Sequence, residues 1–170
     1  YRQQEHVLDD KGEQLLSLLS RFSSSPHDAY AALSTADMRH PAIALSTGEV
    51  TLTYGQYRAI LATNRNQADR ATAFNAYHML FAENINTYAS LYNAVIQRDW
   101  FHSQARGYAS TLEAALHGNN IPPAVVYNLI ESTKAGTEPL RRYHRLRKRV
   151  LGVETYHTYD GTIPLVDFDR

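Results

Sequence analysis

The sequence predicts a mostly α-helical fold that carries one small β-hairpin. In several segments, apolar residues recur three, four or seven positions apart, which is the spacing of one helix face. Capping residues and glycine or proline breaks separate these segments from one another. The chain has 170 residues, of which 44% are hydrophobic and 20% charged, as in globular proteins. We therefore expect a single helical domain over 1–170.

The first two helices are predicted near the N-terminus. Asp9 and Asp10 precede a segment whose leucines suit one face of a short amphipathic helix, namely Leu15, Leu16, Leu18 and Leu19. Ser25 is a typical N-cap residue, and Pro26 suits the first helical position because the N–H that proline lacks has no partner there. A second helix is expected over 27–37.

The hairpin is predicted over 40–54. Short apolar runs at 42–45 and 50–53 flank a turn segment, Ser46-Thr47-Gly48-Glu49, whose glycine allows a tight reversal of the chain. Thr53 can then cap a helix over 54–62.

A long helix is predicted over 67–102. Asn66 can cap it, and the range contains neither proline nor glycine. Aromatic and aliphatic residues recur on one face: Phe74, Tyr77, Phe81, Tyr88, Leu91, Tyr92 and Val95. Such a face either packs in a core or forms a platform for a ligand, and we interpret it as core packing.

The last third of the chain predicts two further helices. Ser110 and Glu113 match a capping box, and Gly118 ends the short helix that follows. A kinked basic helix is expected over 123–151, with a kink or a break at Gly136 and Pro139 and the end at Gly152. Its apolar stripe should anchor it to a core: Leu140, Tyr143, Leu146 and Val150. The tail after 152 is expected to be irregular, with a turn at 159–161.

The charge of the chain is balanced overall but uneven along the sequence. There are 17 basic and 17 acidic residues, so the formal net charge is zero. Six of the basic residues lie within 141–149: Arg141, Arg142, Arg145, Arg147, Lys148 and Arg149. A basic helix can bind nucleic acid, a membrane surface or an acidic partner, or it can be a solvated or docking face. We favour the solvated or docking face, since no nucleic-acid-binding motif accompanies the cations.

Histidine and cysteine usage excludes several kinds of site. The chain has no cysteine, which excludes disulfides, thiolate zinc sites and a cysteine nucleophile. No two of its eight histidines lie three or four residues apart, so the HExxH zinc motif is absent. Glu113 and His117 are four apart, and we expect a helix-stabilising contact between them. We assign no catalytic, cofactor-binding or metal-ligating residue to the chain.

No apolar run is long enough to span a bilayer, and the polar N-terminal segment is not a signal peptide. Together with the absence of cysteine, this leads us to expect a cytoplasmic protein and no membrane partner. The sequence begins with Tyr1 and ends at Arg170, from which we expect a fragment of a longer protein.

Several motifs, taken in order, resemble the oligoendopeptidase F-like zinc peptidases, which are relatives of thimet oligopeptidase. The segment ARGYASTLEAALHGNNIPPAVVYNLI is similar to the family's Leu-Glu-Ala-Ala-Leu and Asn-x-Ile/Val-Pro pattern. PLRRYHRLRKRVLG is similar to its Pro-Leu-x-Arg-Tyr-x-x-Leu-Arg-Lys segment, and Tyr159-Asp160 and Pro164-Leu165 continue the match. Upstream, LTYGQY and NQADRATAFNAYH resemble the preceding part of the family.

The resemblance implies part of a larger helical metallopeptidase that cuts oligopeptides inside an enclosed channel. In that family, zinc is held by the two histidines of HExxH and a later glutamate, and the glutamate of the motif activates the zinc-bound water. Those residues lie downstream of the segment matched here, so none is carried over. The resemblance therefore implies zinc in the parent enzyme, with its ligands outside this chain.

We expect this chain to be a non-catalytic scaffold or channel-wall segment, inactive alone, that docks the zinc-bearing remainder of the peptidase. Oligopeptides would be the substrates of the parent enzyme. One alternative is a non-enzymatic helical interaction module that uses 141–149 to bind an acidic partner or, less in keeping with the motifs, nucleic acid. Another is a natural pseudo-peptidase that lacks the catalytic half.

Overall fold

The computed structural model describes residues 2–166, with side chains from residue 4 onward. The last residues of the expected tail, 167–170, lie outside this range. The structure is 69% helical and contains one two-stranded antiparallel sheet. The predicted fold class, mostly α with a small hairpin, is therefore confirmed.

The chain divides into two compact units, where the sequence suggested one domain. Unit 1 comprises Tyr1–Asp37 and Asn86–Ala135, and unit 2 comprises Met38–Ile85 and Gly136–Arg170. Each unit is thus built from two separate stretches of sequence. The sequence marks one crossing between the units with Gly136, but neither proline nor glycine marks the crossing at 85–86.

Unit 1 is helical throughout its described elements. It contains α1 (Asp10–Ser23), α2 (Ser25–Ala31), most of α5 (Ile85–Ala105), α6 (Thr111–His117) and α7 (Pro123–Ala135), together with a 3₁₀ segment Arg2–His6 and a π-helical turn Ala32–Ala36.

At two of three helix starts in unit 1, a residue that the sequence places before the helix caps it through its side chain. The Asp9 carboxylate accepts a hydrogen bond from the Gly12 N–H at 2.8 Å, and the Ser110 hydroxyl accepts one from the Glu113 N–H at 3.0 Å. The expected N-cap at Ser25 is wrong by one residue. Ser24 occupies that position and its side chain makes no capping bond, because its backbone is already helical.

Unit 2 combines the hairpin with three helices. Strand β1 (Ala42–Leu45) pairs with β2 (Gly48–Thr51), and Leu45 lies opposite Gly48 across the turn. The helices are α3 (Tyr54–Thr63), α4 (Gln67–Ala82) and α8 (Glu138–Leu151), followed by a 3₁₀ turn Thr158–Asp160. The second strand begins two residues earlier than expected. Gly48, at φ +123°, is its first residue and joins it directly to the turn.

The hydrophobic core lies in unit 2. It consists of Ile43, Leu52, Tyr57, Ile60, Leu61 and Ala73, and partly buried aromatic side chains such as Phe74 and Tyr77 pack against it. Tyr57 and Tyr77 stack with ring centroids 4.2 Å apart. Ile163 in the tail is also fully buried. Thr53 and Asn66 cap α3 and α4 as expected, through side-chain oxygens that accept from Gln56 N–H and Ala68 N–H.

The single helix expected over 67–102 is wrong. The structure has α4 and α5, separated by a turn at Glu83 and Asn84. The Asn84 side-chain amide donates to the Leu80 carbonyl at 3.3 Å, and its backbone N–H donates to Phe81. An asparagine that bonds the preceding carbonyls in this way competes with helical hydrogen bonds, so the helix can end without proline or glycine.

The 123–151 range contains two helices, α7 and α8, so the structure has the expected break rather than a kink within one helix. The interruption lies at Gly136 and Thr137, and Pro139 follows within the first turn of α8, where a missing N–H costs nothing. Gly152 ends α8 in the left-handed conformation, at φ +66°.

Candidate functional site

The face of α8 that meets the rest of unit 2 is organised by Arg147. Its side chain is buried, and Nη2 donates to the carbonyls of Asp160 and Ile163. Nε and Nη1 donate to the hydroxyls of Tyr156 and Tyr143 at 3.1 and 3.2 Å. A buried guanidinium satisfied by four oxygens fixes the tail 156–163 against α8.

A second buried arginine ties the same tail to α4. Arg70 Nη2 lies 2.6 Å from Asp160 Oδ1, and both side chains are almost completely buried. The carboxylate of Asp160 also accepts hydrogen bonds from the Gln67 amide and the His157 N–H. Every oxygen of this buried pair therefore has a donor, which is the condition for such a pair to be tolerated in a core.

The remaining five cations of 141–149 lie on the outer face of α8. Arg141, Arg142, Arg145, Lys148 and Arg149 are all exposed. Among the described side chains, Glu138 alone forms a salt bridge with this face, through Arg145. This set of five is called the cationic face below.

The apolar stripe of α8 is not anchored to a core, contrary to expectation. Leu140, Tyr143, Leu146 and Val150 are each between 43% and 56% exposed. Arg147 is buried in their place because its guanidinium donates to three oxygens of the tail and to the hydroxyl of Tyr143 on α8 itself. At about 100° per residue, Arg147 lies within the apolar stripe and opposite the cationic face. A helical wheel therefore separates Arg147 from the other five cations, whereas a count of cations along the sequence does not.

Unit 1 exposes several apolar helix faces. Large hydrophobic side chains are exposed on α1, α5 and α7, including Leu15, Phe22, Tyr92, Trp100, Tyr127 and Leu129. Two apolar grooves lie between α1–α2 and α5. One of about 290 Å³ is lined by Leu19, Phe22 and Phe101, and one of about 380 Å³ by Tyr30, Tyr88 and Tyr92. The expected core packing of the aromatic face therefore holds for Phe74 and Tyr77 in unit 2 but not for Tyr92.

The N-terminal segment of unit 1 is held by a polar cluster. Arg106 forms a bidentate pair with Glu13 at 2.8 and 2.9 Å and donates to the His6 carbonyl. The guanidinium of Arg106 and the Leu8 N–H hold the pKa of Glu13 below its usual value. The His6 ring stacks on Tyr108 at 3.7 Å and meets the His117 ring edge-on at 4.8 Å.

Glu113 acts at the start of α6, in keeping with the predicted capping box, rather than in the expected contact with His117. Its carboxylate accepts from the Ala109 N–H at 3.0 Å and so stabilises the start of α6. His117 instead contacts the rings of His6 and Tyr108.

The donor set of the described residues does not fit a zinc ion. Within residues 2–166, no group of three or more histidine, aspartate or glutamate side chains is placed to hold a metal. No helix in the same range is long and apolar enough to cross a bilayer.

Comparison with known proteins finds similarity to one family of peptidases. Residues 1–40 match the family model described as Oligopeptidase F. The chain is 33% identical over 166 residues to Oligopeptidase PepF of Bacillus subtilis (strain 168), covering 97% of this chain and 25% of that protein. It is 29% identical over 165 residues to the oligoendopeptidase F homolog of Lactococcus lactis subsp. lactis (strain IL1403), covering 96% and 27%.

Two solved structures agree over nearly the whole chain. Oligoendopeptidase-F from Enterococcus faecium matches with a TM-score of 0.89 and 33% identity, over 95% of this chain and 31% of that one. Over nearly its whole length the chain is therefore similar to part of the oligoendopeptidase F proteins. A putative peptidase from Chlamydophila abortus matches the chain with a TM-score of 0.91 and 26% identity, over 96% of this chain and 27% of that one. The chain thus spans about a quarter of the length of the curated relatives it matches.

Proposed function

We propose that this chain is a non-catalytic scaffold segment of a zinc-dependent metalloendopeptidase that hydrolyses oligopeptides. In this proposal it forms part of the helical wall of the peptide channel and docks the zinc-bearing remainder. The observation that carries the proposal is the set of exposed apolar faces on α1, α5 and α7. Exposed apolar helix faces occur on surfaces that contact another polypeptide.

Two further observations support the proposal. The relatives are named oligopeptidases or oligoendopeptidases and are about four times as long as the segment they share with this chain. The buried polar groups of unit 2 are used structurally, because Arg70, Asp160 and Arg147 satisfy one another and the tail. Zinc dependence rests on the family resemblance, and a cytoplasmic location rests on the absence of cysteine.

The coding sequence downstream of Arg170 tests the zinc part of the proposal first. We expect an HExxH motif there, since the chain itself carries none. A stop codon directly after Arg170 would favour the pseudo-peptidase or the interaction module instead.

Complementation tests the docking part. The chain and the separately produced downstream polypeptide are mixed, and hydrolysis of a quenched fluorescent oligopeptide is followed. We expect hydrolysis only in the mixture. Leu15→Glu with Leu18→Glu on the apolar face of α1 should reduce it, because a buried carboxylate would have to be desolvated at the docking surface.

The matched control for this experiment is Gln14→Glu with Ser17→Glu, two exposed polar positions of the same helix. It adds the same charge and should leave hydrolysis unchanged. Equal hydrolysis by the chain alone, or equal loss in both double variants, would contradict the docking role.

A further inference from the structure

We propose that the cationic face of α8 binds acidic oligopeptides. We expect the isolated chain to bind such peptides. That this binding captures acidic peptide substrates for the peptidase rests on the proposed function above.

The cations of this face form one compact surface. At about 100° per residue, Arg141, Arg142, Arg145, Lys148 and Arg149 fall within an arc of about 120°. From the first to the last they extend about 12 Å along the helix, at 1.5 Å per residue. An extended peptide of about four residues has the same length, so a run of acidic side chains could contact the whole face.

The cationic face is also held in position, and most of its positive charges have no carboxylate partner among the described side chains. The opposite side of α8 is fixed by the hydrogen bonds of Arg147 to the tail, so the helix cannot rotate its cations into the protein. Glu138 pairs with Arg145 at one end, and the other four cations have no carboxylate within salt-bridge distance among the described side chains. Carboxylates of a ligand would meet charges that the described protein does not neutralise.

The charge of the remaining chain favours a short acidic peptide over nucleic acid. The chain has equal numbers of basic and acidic residues, and six of its 17 basic residues lie within 141–149. The rest of the molecule is therefore acidic and would repel an extended polyanion that ran beyond α8. The exposed tyrosine of this helix, Tyr143, lies outside the cationic arc, so the arc has no tyrosine on which a base could stack.

Fluorescence anisotropy of a labelled hexaglutamate peptide tests the proposal on the 170-residue chain, without any need for turnover. We expect binding at about 20 mM salt that weakens about tenfold by 200 mM, because exposed charges are screened over these ionic strengths. A hexaglutamine peptide of the same length should not bind. Replacing Arg141, Arg142 and Lys148 together by glutamate should weaken hexaglutamate binding about tenfold or more.

The matched control is Arg21→Glu with Arg39→Glu and Arg58→Glu. These three arginines are exposed and lie outside α8, so the control changes net charge by the same amount. It should alter affinity less than about threefold, because charges distant from the site are screened. The urea midpoints of both triple variants should match that of the natural chain, since all six side chains face solvent.

Four results would overturn the proposal. They are no binding of hexaglutamate, equal binding of hexaglutamine, equal weakening in the two triple variants, and tighter binding of a thymidine oligonucleotide than of hexaglutamate. None of these bears on complementation by the downstream polypeptide, so failure here leaves the scaffold role to its own test.

Discussion

Unit 1 and unit 2 differ in where their hydrophobic side chains go. Every hydrophobic side chain that is buried within residues 4–166 belongs to unit 2. Both units expose apolar side chains, including Leu140 and Val150 on α8 of unit 2, but the buried residue of unit 1 among the described side chains is the polar Ser103. Unit 2 therefore carries the core from which its stability derives. In unit 1 the described contacts include helix caps, the Arg106–Glu13 pair and the stacking of His6 on Tyr108.

This difference is what the proposed scaffold role requires of the chain. A segment with its own core can fold as a rigid base, and a segment with uncovered apolar faces can complete a larger core when a partner packs on it. The first two predictions that follow test this contrast by pairing a change in unit 2 with a matched change in unit 1, and the third compares a buried with an exposed carboxylate within unit 2.

The largest effect is expected from Asp160→Ala in unit 2. It leaves the guanidinium of Arg70 buried without its partner, which typically costs about 3–5 kcal/mol of unfolding free energy. In unit 1, Asp99→Ala removes an exposed partner of Arg98 and should cost less than about 1 kcal/mol. Urea unfolding followed by circular dichroism measures both. Equal losses would show that the buried pair does not hold the tail in solution.

A core substitution should have the next largest effect. Leu52 is 0% exposed and Leu15 is 68% exposed. Leu52→Ala should destabilise unit 2 by about 2–5 kcal/mol through lost burial and a cavity. Leu15→Ala should change the stability of the isolated chain by less than about 0.5 kcal/mol, as expected of a surface position. A large loss for Leu15→Ala would mean that the apolar face of α1 is already covered in the chain alone.

Acid should weaken unit 2 partly through Asp69. The hydroxyl and N–H of Ser46, and then the amide of Asn64, hold the pKa of Asp69 below its ordinary value near 3.8. A carboxyl group whose pKa is lower in the folded state stabilises the fold above its unfolded pKa. That contribution is lost as pH falls through the folded pKa. The urea midpoint should therefore fall between about pH 5 and pH 3 more in the natural chain than in Asp69→Asn.

Glu49→Gln is the matched control for the acid prediction, since Glu49 is an exposed carboxylate on the same hairpin. With Glu49→Gln, the urea midpoint should fall between about pH 5 and pH 3 by the same amount as in the natural chain. If the urea midpoint of Asp69→Asn also falls by the same amount, the hydrogen bonds from Ser46 do not stabilise the carboxylate form of Asp69.

The sequence predicted local structure well where a single residue decides it. Asp9, Thr53, Asn66 and Ser110 cap helices as expected, and Gly152 ends α8. It failed at Asn84, where a side-chain hydrogen bond to Leu80 ends a helix that has no proline or glycine. Burial was the hardest to predict. The stripe on α8 and the face of α1 have the periodicity of core positions, but periodicity does not say which surface covers them.

The burial of Arg147 also could not be predicted from its place in the sequence. It was counted with five exposed cations because it lies among them in sequence, yet it is the buried residue of α8. Its partners are two backbone carbonyls and two tyrosine hydroxyls, and the carbonyls and Tyr156 belong to a tail whose path the sequence does not specify. The helical position of Arg147 identifies it as an exception, but only the folded tail explains why burial is favourable.

The most direct test of the scaffold role is zinc content and oligopeptide hydrolysis by the pure 19.2 kDa chain. Inductively coupled plasma spectrometry after zinc loading and dialysis would be paired with a quenched fluorescent oligopeptide assay. We predict no stoichiometric zinc and no hydrolysis above buffer, because the described residues provide no metal-binding cluster. One zinc per chain together with turnover that co-elutes with the chain would contradict the account.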